Sequence, residues 1–106
     1  MNYVHCVIFT CKPGTPAAAI DAQIADGKDL LGKIPTVRHL RTGRRDANML
    51  REVSITDFDI GLVVMCDDKA AYQVYADHPL HMEYIKRHKQ IWDRVRVCDF
   101  MCEGQH

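Results

Sequence analysis

The stretch FDIGLVVMCDDKAAYQVYADHPLHMEYIKRHKQIW, from Phe58 to Trp92, decides the fold. Residues 58–66 are apolar and partly β-branched and read as a strand. Phe58, Ile60, Leu62, Val64 and Cys66 share one face; Asp59, Gly61, Val63 and Met65 share the other. Asp67 or Asp68 then caps a short helix that runs to about Tyr75. His78-Pro79 breaks it, because proline disfavours helical backbone at the residue before it. Pro79 suits the first turn of a new helix, which the pattern carries to about Trp92. There Leu80, His81, Tyr84, Ile85, His88, Ile91 and Trp92 form one stripe, with Glu83, Lys86, Arg87 and Lys89 on the other side. That is an amphipathic helix with its stripe turned toward a sheet.

Upstream, residues 3–11, YVHCVIFTC, read as a first strand. His5, Val7, Phe9 and Cys11 lie on one face and Val4, Cys6, Ile8 and Thr10 on the other. Both faces are largely apolar, so cover on both sides is expected. Lys12-Pro13-Gly14 ends the strand. Thr15 fits the N-cap and Pro16 the first position of a helix running to Leu31. Ile20, Ile24 and Leu31 fall at helical spacing, with Gly27 in the place between. Gly32 and Pro35 stop it. Residues 36–45, TVRHLRTGRR, form a more polar second strand near an edge, and 46–56, DANMLREVSIT, a loop. Residues 95–102, VRVCDFMC, form the last strand, and 103–106 are expected to fray.

The order is β-α-β-β-α-β with the second helix broken. This predicts an α+β, ferredoxin-like fold: an antiparallel four-stranded sheet with helices on one face. The other sheet face is too apolar for water, and two such faces packed together give a homodimer.

The chain has 106 residues, which predicts one domain over 1–102. Lys and Arg number 14 and Asp and Glu number 14, so the net charge is zero. That argues against a nucleic-acid partner and against a polybasic membrane anchor. No apolar run approaches the roughly 18 residues of a membrane span. The start, MNYVHCVIFTCKPG, lacks a basic opening and a small-residue cleavage site, and reads as a strand rather than a signal peptide. The five cysteines, Cys6, Cys11, Cys66, Cys98 and Cys102, form no C-x-x-C pair. Reduced thiols in a cytoplasmic protein are expected; the spacing leaves a redox role for Cys98 and Cys102 as a weaker reading. Arg38, Arg41 and Arg44-Arg45 form a basic strip without interleaved aromatics, which reads as a solvated edge.

Six histidines are an enrichment. The densest titratable segment is Tyr75-Ala-Asp-His78-Pro79-Leu-His81. His81 and His88 are seven apart, so both lie on the apolar stripe and face the sheet, where His5 is expected to point. A buried imidazole stays neutral and accepts a proton at neutral pH. A nearby tyrosine hydroxyl can donate to a developing oxyanion. His81 and Tyr75 together suit enolisation of a carbonyl compound, or capture of a phenol or carboxylate. Plainer roles fit the same residues: His88 as a hydrogen-bonded core residue, His78 as a cap at the turn, Tyr72 and Tyr84 as packing, His39 as surface. His78-x-x-His81 is too sparse for a metal, with His78 outside the helical register; no metal is expected. No glycine-rich phosphate loop is present, and no organic cofactor is expected.

The strand His5-Cys-Val-Ile-Phe9 followed by Lys12-Pro-Gly14, then Gly32-Lys-Ile-Pro35, resembles the stress-responsive α/β-barrel domain (Dabb) family. So do Phe58-Asp59 before Leu62-Val-Val, Tyr75-x-x-His78-Pro79-x-His81, and Val97-Cys-Asp99-Phe100. The resemblance covers about residues 3 to 101 and implies a dimeric α+β barrel with a pocket between each sheet and its own helices. Some plant members are polyketide cyclases that close a linear polyketide by aldol condensation. Their catalytic tyrosine and histidine carry over onto Tyr75 and His81, and their first-strand histidine onto His5. The place of their third-strand histidine holds Ile60, beside Asp59.

The expected protein is thus a homodimer that binds a small, partly apolar carbonyl compound, with cyclase, lyase or isomerase chemistry. His81 is the expected base, Tyr75 the oxyanion donor and His5 an orienting partner. His78, Val7, Phe9, Tyr84, His88 and Trp92 are expected to line the pocket. The alternatives are a non-catalytic stress-protection or ligand-binding dimer, and cofactor-independent or haem monooxygenase activity, which dimeric α+β-barrel relatives include.

Overall fold

The computed structural model describes residues 2–103. The chain runs β1 (Asn2–Cys11), α1 (Ala17–Leu30), β2 (Val37–Arg44), β3 (Ile60–Cys66), α2 (Lys69–Asp77), α3 (Pro79–His88) and β4 (Trp92–Cys102). Short 3-10 turns, Leu31–Lys33 and Lys89–Ile91, follow α1 and α3. The strands form one antiparallel sheet in the order β2-β3-β1-β4. This is the ferredoxin-like α+β architecture that the sequence predicts, with β2 at an edge. No helix among the described residues is long and apolar enough to cross a membrane. The expected fraying of 104–106 concerns residues outside those described.

Alternation places the core. Val7, Phe9 and Cys11 of β1 and Ile60, Leu62, Val64 and Cys66 of β3 are buried under the helices. Ile20 and Leu30 of α1, Tyr75 of α2, Tyr84 of α3, and Leu31 and Ile34 complete the core. The opposite face of the sheet is left uncovered by the described residues. It carries Cys6, Ile8, Val63, Met65, Cys98 and Phe100, of which Val63, Cys98 and Phe100 are exposed. Cover on both sides of β1 therefore does not come from the described residues themselves.

Four local expectations shift. Pro16, not Thr15, is the N-cap of α1, because the Thr15 hydroxyl is already donating to the Lys12 carbonyl. The first helix after β3 continues to Asp77, capped by Asp68 accepting from the Ala71 amide at 2.8 Å. Trp92 is the first residue of β4 rather than the end of a helical stripe. Phe58 precedes β3 and turns away from the core: a Cβ on Gly61 would meet its ring at 3.9 Å. Gly61 lies opposite Ile8 on the open face, and the Phe58 ring lies beside it.

Candidate active site under the sheet

β1 brings His5 to the helix side of the sheet, where α2 and α3 lay Tyr72, Tyr75 and His81 beside it. The Tyr75 ring centroid is 4.8 Å from that of His81, 5.8 Å from Tyr72 and 6.2 Å from His5. Tyr72 is also 4.8 Å from His5 and stacks on Tyr3 at 4.7 Å. The helix break creates this grouping. His78 caps α3 by accepting from the Leu80 amide at 3.0 Å, which turns the chain so that His81 folds back toward Tyr75.

Hydrogen bonding fixes the histidine tautomers. His81 Nδ1 lies 2.8 Å from the Ala76 carbonyl, an acceptor only, so Nδ1 carries the hydrogen and Nε2 the lone pair. Burial, opposed by that hydrogen bond, holds the His81 imidazole below its ordinary value. It is therefore a neutral proton acceptor at neutral pH. His5 Nδ1 donates to the Asp99 carboxylate at 2.6 Å. An imidazole held on Nδ1 by a carboxylate is oriented for proton transfer at Nε2.

Tyr75 is different in kind. Its side chain is 0% exposed and its hydroxyl has no hydrogen-bond partner among the described residues. Burial, reinforced by Tyr84, Tyr72 and Cys66, pushes the phenol far above its ordinary range, so it stays a donor. An unpartnered buried hydroxyl costs about 1–3 kcal/mol. The arrangement offers the His81 imidazole as a proton acceptor and the carboxylate-held His5 imidazole beside one O–H donor. That set suits removal of a proton next to a carbonyl whose oxygen is held by Tyr75.

The remaining expected pocket residues form a second, self-satisfied group. The Trp92 indole donates to Gln23 Oε1 at 2.7 Å, and Gln23 Nε2 donates to the Tyr84 hydroxyl at 2.9 Å. Phe9 packs on Trp92 with ring centroids 4.8 Å apart. His88 Nε2 bonds Asp26 at 2.7 Å. Burial raises the Asp26 carboxyl, yet the bonds from His88 and Arg87 outweigh it and hold it below the usual range. His78 lines an outward groove with Ala70, Gln73 and Val74. The structure thus gathers His5, Tyr75 and His81, leaves Val7 between the two groups along β1, and places Phe9, Tyr84, His88, Trp92 and His78 elsewhere. Asp99 joins the cluster without having been singled out, and so does Tyr72, which the sequence reads as packing. For Asp99 the available signal was its place in the closing Val97-Cys-Asp99-Phe100 segment. Among the described residues no three His, Cys, Asp or Glu side chains gather as a metal would need.

Solved structures share this architecture. A Dabb-family protein with a ferredoxin-like fold from Mesorhizobium loti is 25% identical, with 97% of this chain and 98% of that one covered at a TM-score of 0.78. A dimeric ferredoxin-like protein of unknown function from Thermobifida fusca is 17% identical, with 96% and 92% covered and a TM-score of 0.81. A hydroxynitrile lyase from Passiflora edulis is 17% identical, with 99% and 96% covered and a TM-score of 0.79. The comparison with curated proteins gives no match. The family model of the stress responsive A/B barrel domain matches residues 4–102. With nearly its whole length matched, the chain belongs to the stress responsive A/B barrel domain (Dabb) family.

Proposed function

We propose that this protein is a homodimer that binds a small, partly apolar carbonyl compound beneath the sheet and moves a proton on it. The chemistry is of the lyase, cyclase or isomerase class. One observation carries the reading: the Tyr75 hydroxyl is buried without a partner, beside two imidazoles whose Nδ1 atoms are already tied. A ligand oxygen supplies the missing acceptor. His81 Nε2 accepts the proton, Tyr75 holds the oxygen that gains charge, and His5, steadied by Asp99, takes up or returns a proton alongside. The Passiflora protein supports the reaction class by the similarity of its fold alone. The homodimer is supported by the apolar open face and by exposed Met49, Leu50, Val53 and Ile55 in the loop before β3. Five unbridged thiols agree with a reducing, cytoplasmic setting.

The test is a thermal-shift screen of wild type, Tyr75→Phe and His81→Ala against carbonyl, phenolic and carboxylate ligands. A ligand at about 100 times its dissociation constant stabilises the fold by about 2.7 kcal/mol. A class that stabilises wild type and not Tyr75→Phe supports the reading and names compounds to assay for turnover. Equal stabilisation of both proteins places the ligand elsewhere and defeats it. Binding without turnover selects the non-catalytic dimer.

A further inference from the structure

Tyr75 is fully enclosed and His5 nearly so. A ligand that meets either one must first displace a neighbour. Tyr72 is a half-buried neighbour of both, its ring centroid 4.8 Å from that of His5 and 5.8 Å from that of Tyr75. It stands three residues before Tyr75, on the same face of α2. His81, also half-buried, is tied through Nδ1 to the Ala76 carbonyl. Tyr72 is held by ring contact: Tyr3 stacks on it with centroids 4.7 Å apart and planes at 24°. Tyr3 shares the helix side of β1 with His5, opposite the buried Cys66. Both rings therefore lie away from the face that a second copy covers.

Building on the site proposed above, we infer that Tyr72 is its entry gate: stacked on Tyr3, the ring closes over His5 and Tyr75, and it swings outward to admit a ligand. Rotation about the side-chain bonds is enough, with α2 left in place. The stack exists only while the ring is in, so Tyr3 sets the balance between closed and open. A stacked aromatic pair shifts such a balance by roughly two- to tenfold. The gate also gives the Tyr75 hydroxyl its isolation. That group has no partner among the described residues, and in an open site water would serve as its acceptor. The closed ring keeps water off it and leaves it free for a ligand oxygen.

The experiment needs no ligand, so its outcome is separate from that of the thermal-shift screen. The native protein is treated with diethyl pyrocarbonate, which acylates imidazole nitrogen, at one fixed pH, and the rate at each histidine is read by peptide mass. His5 reports the gate. Free N-acetylhistidine in the same solution reports the reagent, and His88, buried and bonded to Asp26, reports general loosening. Tyr3→Leu keeps apolar cover but removes the ring; it is expected to label His5 roughly two- to tenfold faster, with His88 unchanged. Tyr3→Phe keeps the stack and is expected to label at the wild-type rate. Tyr3→Trp offers a wider face and is expected to slow His5, a change that no loosening of the fold imitates. In Tyr72→Ala the site stands open, and adding Tyr3→Leu brings no further gain, as two residues acting through one contact require. Three results overturn the inference: a His5 rate unchanged in both Tyr3→Leu and Tyr3→Trp, His5 and His88 accelerating together, or a gain from Tyr3→Leu that persists in Tyr72→Ala.

Discussion

His5 Nδ1 and Asp99 Oδ1 lie 2.6 Å apart on directly opposed residues of β1 and β4. The imidazole is the buried member, with 9% of its side chain exposed against 30% for the carboxylate. Removing the acceptor therefore strands a buried N–H. Asp99→Ala is expected to cost about 1–3 kcal/mol in urea denaturation. Asp99→Asn keeps an oxygen in place and is expected to cost less. Equal losses in the two variants would show that the contact is not what holds His5.

His81 makes stability pH-dependent in a defined direction. Its folded value is lowered by burial from the ordinary 6.5. Above 6.5 neither state takes the proton and the contribution is fully present. Below it the unfolded chain protonates first, so stability is lost as pH falls toward the lowered folded value. Urea midpoints for wild type and His81→Gln, compared from about pH 7 to about pH 5, should show a shallower decline in the variant. A decline of the same steepness would mean that His81 is not held neutral.

Gln23 serves structure, not the candidate site. It is fully buried, accepting from Trp92 and donating to Tyr84. Gln23→Met leaves both partners unsatisfied and should cost about 2 kcal/mol or more. Ligand-induced thermal shifts should survive it, because Tyr75, His81 and His5 keep their contacts. Loss of those shifts would join the two groups into one site.

The open sheet face should hold a second copy. Val63→Arg and Phe100→Glu each place a charge where that copy packs, at positions already exposed in the single chain. Sedimentation should find wild type as a dimer and both variants as monomers. Wild type sedimenting as a monomer would remove the homodimer from the account.

The elements were legible because each carries a one-sided signal. Ile60, Leu62, Val64 and Cys66 alternate because helices cover one face of β3, and His78-Pro79 must break a helix. Phe58 was misplaced because alternation assumes that the strand has begun, whereas β3 begins only at Ile60. Trp92 fits a helical stripe by spacing, but the backbone has already extended. The site was legible as far as Tyr75, His81 and His5, which the helix break and the first strand bring together. Asp99 was not, because its partner depends on register between distant strands, which no local period encodes. For the same reason Cys98 stands opposite Cys6 in the ladder, which its spacing from Cys102 does not foretell. The isolation of the Tyr75 hydroxyl emerges only when every neighbour is in place.

The account turns on that hydroxyl, and the ligand-free stability of Tyr75→Phe tests it most directly. If the group is held in reserve for a ligand, deleting it relieves an unsatisfied buried donor, and the melting temperature should stay level or rise. A drop worth about 1 kcal/mol or more would show that the hydroxyl already has a partner inside the protein, and that Tyr75 is part of the core rather than of a site.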